Sequence, residues 1–231
     1  MTKTIGVLGG MGPQATVDFF QKVLNNTKAV RDQDHIHIII DNNPQIPDRT
    51  DFLLGKGESP LKSLVRSAVG LQLMGADILT MPCNTAHYFY EEITKFIDIP
   101  FINMIEEVAA DIEAKNHGVK RVGLLATEGV YSMNLYGRYL EKYGIEADVP
   151  NREGKEAVSE TIYTVKKDLN TVDITRINRV IDRMKKNGIE TIILGCTELP
   201  LLTDRYPRGV EYIDTTSVLA KKAVEQANAQ H

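Results

Sequence analysis

The sequence has few cysteines, no excess of positive charge and no long apolar run, and each of these shortages excludes a class of protein. Two cysteines among 231 residues cannot form the disulfide framework of a small secreted domain, and a chain of this length can bury a core without cross-links. The 27 basic residues are outnumbered by 31 acidic ones, for a net charge of −4, and they are scattered along the chain. We therefore expect no nucleic-acid partner.

The chain also lacks any apolar run near the ~18 residues that a membrane-spanning helix needs, so no membrane association is expected. Residues 1–8 lead directly into a strand-like run, without the basic region and cleavage site of a secretory signal. These features predict a cytoplasmic protein, in which two cysteines stay reduced as free thiols. Two inert, buried cysteines are an alternative interpretation, because free cysteine is among the most buried residue types.

An apolar run that ends in a cysteine and small polar residues occurs twice, at 78–87 and at 191–199. Each run is typical of a buried strand that opens into a loop. A glycine precedes the cysteine at the same distance in both copies, Gly75 in the first and Gly188 in the second. The likeness predicts that both cysteines lie at the ends of equivalent strands.

Two further segments recur in the same order. Residues 122–129 repeat the spacing of residues 5–12, and 212–214 resemble 101–103. Three recurring blocks at nearly constant offset predict an internal duplication. Because strands alternate with helical segments, we predict an α/β fold of two similar domains, each a parallel sheet flanked by helices, related by a pseudo-twofold axis.

The predicted domains are residues 1–98 plus 212–231 and residues 99–211. In open parallel sheets, ligands bind outside the carboxyl ends of the strands. Cys83 and Cys196 follow two such ends. If the domains face each other, the two thiols converge from opposite sides on one cleft.

Two thiols across a cleft can remove a proton from one face of an atom and return one to the other face. Asn84-Thr85 and Thr197-Glu198 follow the cysteines and resemble helix starts, whose positive end lowers the pKa of a nearby thiol. We therefore expect one cysteine to act as a thiolate base and its partner as a thiol acid. The free N–H groups at the same positions would bind a substrate carboxylate.

The motifs around the two cysteines, 79–87 and 192–199, resemble the signatures of the aspartate/glutamate racemase superfamily, and most closely those of its aspartate racemase branch. The resemblance extends over essentially the whole chain, including 9–13 and 43–50. It implies cofactor-independent interconversion of L- and D-aspartate, with the two cysteines as the proton-transferring pair in a cleft between two similar domains. It also implies a homodimer.

The resemblance further implies an arginine and a lysine that bind the side-chain carboxylate. The arginine falls on Arg49, and the lysine on Lys167, with the adjacent Lys166 as the alternative; a solvated helix face is the other interpretation of either lysine. An acid in the first loop and a histidine after the second Cys-Thr, both typical of the glutamate branch, are absent. The predicted catalytic pair is Cys83 and Cys196, and the predicted substrate-binding residues are Met11, Arg49, Asn84, Thr85, Thr127, Lys167, Thr197 and Glu198.

Other functions stay open at this point. Within the superfamily they are a glutamate or broad-specificity racemase, a maleate isomerase and a hydantoin racemase. Outside it, one cysteine with His87 as base could hydrolyse an amide, which leaves the second cysteine without a role, or the thiols could be structural in a carboxylate-binding protein. The histidines lack the spacing of a metal site, and the glycine-rich loop lacks the dinucleotide fingerprint. We therefore expect neither a metal nor a cofactor.

Overall fold

The computed structural model describes residues 2–115 and 118–229. Its strands are β1 (Ile5–Gly9), β2 (Ile38–Asn42), β3 (Ile78–Thr80), β4 (Arg121–Ala126), β5 (Glu146–Asp148), β6 (Thr191–Gly195) and β7 (Glu211–Asp214). Its α-helices are α1 (Pro13–Asn26), α2 (Arg49–Leu53), α3 (Leu61–Leu73), α4 (Tyr90–Thr94), α5 (Met104–Lys115), α6 (Glu128–Ser132), α7 (Gly137–Glu141), α8 (Arg152–Lys167), α9 (Thr175–Lys186) and α10 (Thr215–Asn228). Short 3₁₀ segments cover Asp32–Asp34, Thr85–Phe89, Leu169–Thr171 and Leu199–Arg205.

The strands form two parallel sheets with the same central order. The first sheet has the order β2-β1-β3 and the second has the order β5-β4-β6-β7. An isolated parallel bridge between Leu79 and Phe101 adds a fourth position beside β3, where the second sheet has β7. This agreement confirms the predicted α/β class with two parallel sheets flanked by helices. We call residues 5–103 the first half and residues 121–214 the second half.

Three apolar clusters hold the sheets and helices together. The central cluster joins side chains of α1, α5 and α10 to one face of each sheet, through residues such as Phe19, Val108 and Leu219, which are fully buried. The outer clusters pack α3 and α4 on the first sheet and α8 and α9 on the second. Since each fully buried large apolar side chain contributes about 1.5–3 kcal/mol, the shared central cluster fixes the two sheets relative to each other.

Glycines at matching positions lead the chain into the two strands that precede the cysteines. Gly75 follows α3 with φ 95° and Gly188 follows α9 with φ 81°. In this left-handed region a side chain is strained, whereas glycine is not. The glycine that stands before each cysteine in the sequence is therefore the end signal of a helix, and β3 and β6 begin shortly after it.

Strand pairing crosses the predicted domain boundaries in two places. Phe101, which the prediction assigns to the second domain, pairs with the first sheet, and residues 212–214, assigned to the first domain, pair with β6. Helix α10, which follows directly, packs with α1 and α5 in the central cluster. The division into 1–98 plus 212–231 and 99–211 therefore stays a prediction. Among the described residues, no helix combines the length and the apolar character needed to cross a membrane.

Candidate active site

The two cysteines meet in one pocket at the carboxyl ends of the central strands. Cys83 follows β3 and Cys196 directly follows β6, and their exposed fractions are only 5% and 6%. Both line a narrow cavity that we call the inner pocket. Besides the cysteines, the inner pocket is lined by the predicted residues Met11, Arg49, Asn84, Thr85, Thr127, Thr197 and Glu198, and by Asp48, Thr50 and Lys166.

Of the two neighbouring lysines, the structure places Lys166, the alternative, at the pocket lining, and does not bring the predicted Lys167 there. Both lie in the last turn of α8, where consecutive residues point about 100° apart around the helix axis. Sequence analysis also missed Asp48 and Thr50, which flank Arg49. Their position beside the predicted arginine is the signal that could have found them.

Cys196 is hydrogen-bonded to a carboxylate. Its Sγ donates to Oε2 of Glu198 at 2.9 Å. Burial and the adjacent charge of Glu198 raise the pKa of the Cys196 thiol well above its ordinary value, although the Lys166 ammonium acts in the opposite direction. Cys196 is therefore a thiol at neutral pH. The predicted lowering of its pKa is wrong, because burial and Glu198 dominate, and only the short 3₁₀ segment Leu199–Arg205 follows the cysteine.

Cys83 has a different neighbour. Its carbonyl oxygen lies 2.8 Å from Nδ1 of His87, and Nε2 of His87 accepts a hydrogen bond from the Met104 N–H at 3.0 Å. Since Nε2 is the acceptor, Nδ1 carries the proton and donates it to the carbonyl. Burial lowers the pKa of His87 to about 4, so the ring is neutral. With both nitrogens occupied, His87 is unsuited to serve as the base of an amidohydrolase.

Arg49 is a buried cation held by backbone oxygens. Its exposed fraction is 8%, and its Nη1 donates to the carbonyls of Ile46 at 3.1 Å and Pro47 at 3.0 Å. Within the described part of the chain, its Nε has no hydrogen-bond partner and no ion pair forms. A buried charge without a counter-ion is costly, so this guanidinium is prepared for an anionic ligand.

Lys166 supplies a second positive charge from the other half of the molecule. It is exposed as a whole but lines the inner pocket with Arg49. Burial acts to lower the pKa of Lys166, but the charges of Glu198, Cys196 and Cys83 outweigh it and the pKa is raised. Lys166 therefore stays protonated, and α2 and α8 present two cations to one pocket.

Polar side chains connect the halves at the pocket. The hydroxyls of Thr85 and Thr127 lie 2.9 Å apart. The side chain of Asn84 donates to the Thr215 hydroxyl at 3.2 Å and accepts from the Tyr136 hydroxyl at 2.6 Å. Asn84 therefore cross-links the halves through its side chain, which leaves its backbone N–H as the group best placed to bind a ligand.

The glycine-rich loop after β1 allows close packing beside the pocket. Gly10 has φ 91°, and a Cβ there would lie 2.3 Å from the backbone of Asn43. A Cβ on Gly12 would lie 3.1 Å from Oε1 of Glu198. Side chains at these positions would displace the loop or the carboxylate, so the glycines bring the backbone close to the inner pocket.

A larger cavity of about 460 Å³, which we call the vestibule, adjoins the inner pocket. Met11, Asp48, Arg49, Lys166 and Glu198 line both spaces. The remaining wall of the vestibule is largely apolar and includes Pro13, Pro44, Ile46 and Val165. A small ligand that reaches the thiols from the vestibule must pass the two cations and the carboxylate.

Comparison with known proteins gives concordant matches. Residues 8–223 match the family described as Asp/Glu/Hydantoin racemase. The structure resembles the aspartate racemase of Picrophilus torridus, with 32% identity, coverage of 99% of this chain and 95% of that chain, and a TM-score of 0.87. It also resembles an aspartate racemase homologue from Pyrococcus horikoshii OT3, with 27% identity, coverage of 98% and 100%, and a TM-score of 0.77. The broad specificity amino-acid racemase RacX of Bacillus subtilis (strain 168) is 29% identical over 224 residues, which cover 95% of this chain and 96% of the relative.

Proposed function

We propose that this chain, which belongs to the Asp/Glu/hydantoin racemase family and is a cofactor-independent amino-acid racemase, acts on aspartate. The observation that carries the proposal is the content of the inner pocket. Two thiols, Cys83 and Cys196, share it with two cations, Arg49 and Lys166. A dicarboxylic amino acid needs both kinds of group, a proton-transferring pair for Cα and a positive site for the side chain.

In the proposed reaction, one cysteine as thiolate takes the Cα proton, and the other, as thiol, delivers its proton to the opposite face. The electron pair left on Cα is delocalised into the α-carboxylate, which needs hydrogen-bond donors as its charge grows. The hydroxyls of Thr85 and Thr127 and the backbone N–H groups that follow the cysteines are suitable donors. Arg49 and Lys166 bind the side-chain carboxylate, so we move the predicted lysine from Lys167 to Lys166.

A broad-specificity racemase is the second candidate. The vestibule supports it, because about 460 Å³ of largely apolar space beyond the cations exceeds what an aspartate side chain fills. The relative from Bacillus subtilis is described as having broad specificity. In this reading Arg49 and Lys166 favour acidic substrates without excluding longer side chains.

The test is a chiral assay of purified protein without any added cofactor. L-Aspartate and D-aspartate are supplied separately, followed by glutamate and a panel of neutral and basic amino acids. We expect aspartate to reach the same racemic mixture from either side and to have the highest kcat/KM of the panel. Similar kcat/KM values across the panel would replace aspartate specificity with broad specificity, and no inversion of any amino acid would contradict racemase activity.

We also propose that the protein is cytoplasmic and that it is a homodimer, the latter as the resemblance to the superfamily implies. Light scattering coupled to gel filtration measures the assembly. A mass of twice the chain's 25.8 kDa is expected, and a monomer at micromolar concentration would contradict the dimer. Fractionation of the native cells addresses the location.

A further inference from the structure

We infer that Glu198 is a proton carrier that connects Cys196 to the water of the vestibule, and that Cys83 has no such carrier. The inference rests on the proposed function, since it concerns proton transfer between the thiols and an amino acid. It makes the two faces of the reaction different. A proton taken by Cys196 exchanges with solvent while the substrate is bound. A proton taken by Cys83 stays on its sulfur and does not exchange during that time.

One carboxylate oxygen of Glu198 faces the Cys196 thiol, and the other faces the vestibule. Oε2 accepts the hydrogen bond from the Cys196 thiol at 2.9 Å, and the Thr197 hydroxyl lies 3.4 Å from the same oxygen. Within the described part of the chain, Oε1 has no protein hydrogen-bond partner. This oxygen is nevertheless not fully buried. Glu198 also lines the vestibule, whereas Cys196 lines only the inner pocket. Oε1 is therefore the oxygen that meets solvent.

Cys83 lacks an equivalent path among the described residues. Its Sγ has no hydrogen bond, and its carbonyl is held by His87, whose second nitrogen is bound to the Met104 N–H. The other acid of the inner pocket, Asp48, accepts from the Asp51 N–H at 2.9 Å and caps α2. The guanidinium group of an arginine does not lose a proton in proteins, and the pKa of Lys166 is raised, so neither cation of the pocket relays a proton at neutral pH.

The proton transfers balance without any further reactant. Glu198 as carboxylate takes the proton of the Cys196 thiol and becomes a carboxylic acid, which leaves a thiolate. The thiolate takes the Cα proton and becomes a thiol again, while Glu198 releases its proton to water. In heavy water the same path runs with deuterium. Glu198 gains a deuteron from solvent, exchanges it with the thiol proton, and Cys196 then returns deuterium to the same face of the bound substrate.

Heavy water therefore separates the two enantiomers. Each is incubated with the purified protein in deuterium oxide to low conversion, and deuterium at Cα of the unreacted substrate is measured by mass spectrometry after chiral separation. We expect one enantiomer, the one deprotonated by Cys196, to gain deuterium before inversion at least about tenfold faster than the other, a modest ratio beside the roughly 10²–10⁴-fold contribution typical of general acid–base catalysis. Equal gain by both enantiomers in the wild-type protein would overturn the inference.

The variant Glu198→Gln keeps an oxygen that accepts from the thiol but cannot carry a proton. We expect it to bring the exchange ratio of the two enantiomers close to one, and Glu198→Asp to restore part of the asymmetry. Asp48→Asn is the matched control, because it removes a carboxylate of the same two cavities that does not touch a thiol, and we expect the ratio to persist. A Glu198→Gln protein with the wild-type ratio would overturn the inference, whereas absence of inversion in the wild type would overturn the proposed function itself.

Discussion

The two halves of this molecule have the same strand order but surround their cysteines differently. Each half delivers a thiol from the end of a central parallel strand, after a helix that ends at a left-handed glycine. Cys83 has its backbone fixed by a neutral histidine, whereas Cys196 donates its proton to Glu198. Duplication therefore accounts for where the thiols lie, and the residues after the strands account for the different partners of the two cysteines.

This difference has a chemical consequence for a two-thiol racemase. The reaction needs a base and an acid at the same moment, and two thiols in identical surroundings would share the same pKa. Glu198 holds the proton on Cys196, which assigns the acid in the free protein.

Removing either thiol has the largest expected effect. Cys83→Ala and Cys196→Ala should each lower kcat for racemisation by at least about 10³-fold, since general acid–base catalysis typically contributes 10²–10⁴. The chiral assay measures the loss, and circular dichroism confirms that each variant is folded. Near-full activity in one alanine variant would show that a single thiol suffices. The different surroundings of the two cysteines would then have no role in catalysis.

The two cations test whether both halves bind the side-chain carboxylate. Lys166→Ala should reduce kcat/KM for aspartate by about 10- to 100-fold, because a hydrogen bond to a charged group contributes about 1.5–3 kcal/mol. Arg49→Lys should cost a similar factor, since it loses the planar fork that binds a carboxylate through two bonds.

Lys167→Ala is the matched control for the lysine. It removes the same charge from the same turn of α8, but Lys167 does not line either cavity. We expect its kcat/KM to stay within about twofold of the wild type. A damaging Lys167→Ala change combined with a neutral Lys166→Ala change would reverse the assignment.

His87 gives the first half a dependence on acid pH that the second half lacks, since Pro200 stands four residues after Cys196. The pKa of His87 is lowered to about 4 by burial, whereas an unfolded histidine titrates near ~6.5. The unfolded state therefore binds the proton first. The contribution to stability is complete above about pH 6.5 and is lost as the pH falls towards 4, by at most roughly 3 kcal/mol.

Urea unfolding at pH 7 and at pH 4.5 measures this loss. His87→Gln cannot titrate, so its free energy of unfolding should fall less between the two pH values than that of the wild type. An unchanged difference would mean that other groups cause the acid sensitivity and that His87 is not a neutral, buried ring.

The hydrogen bond between Tyr136 and Asn84 tests the contact between the halves, with the smallest expected effect. Tyr136 is 1% exposed, and its hydroxyl donates to Asn84 Oδ1 at 2.6 Å. Tyr136→Phe leaves that buried acceptor without its donor, which costs about 1–3 kcal/mol. The free energy of unfolding measures the cost, with Tyr88→Phe, at an exposed ring, as the control. Equal stability of both variants would show that the link is dispensable.

Much of this arrangement could be predicted from the sequence. The repeated glycine, apolar run and cysteine identified two equivalent strands, because helix ends and buried strands leave local signals. The family motifs identified Arg49 in the same way. The choice between Lys166 and Lys167 could not be made from the sequence, because two adjacent lysines differ only in their direction around α8, and direction depends on how the helix packs.

The raised pKa of the Cys196 thiol could not be predicted from the sequence. The residues after Cys196 resemble a helix start, which suggested a lowered pKa. In the folded chain burial raises the pKa of the Cys196 thiol, and the Glu198 side chain, which turns back onto the sulfur, raises it further. The burial depends on long-range packing, and the local sequence does not show the direction of the Glu198 side chain. The role of Asn84 as a cross-link likewise depends on Tyr136 and Thr215, which are distant in the sequence.

The most direct test of two opposed thiols is the isotope content of the product. A single enantiomer of aspartate is incubated with the protein in deuterium oxide, and the inverted product is isolated at low conversion for mass spectrometry. If Cys83 and Cys196 act on opposite faces, the proton that is removed is never the one delivered, so essentially every product molecule should carry deuterium at Cα. Early product that retains the original proton would contradict the account, since it would require one base to serve both faces.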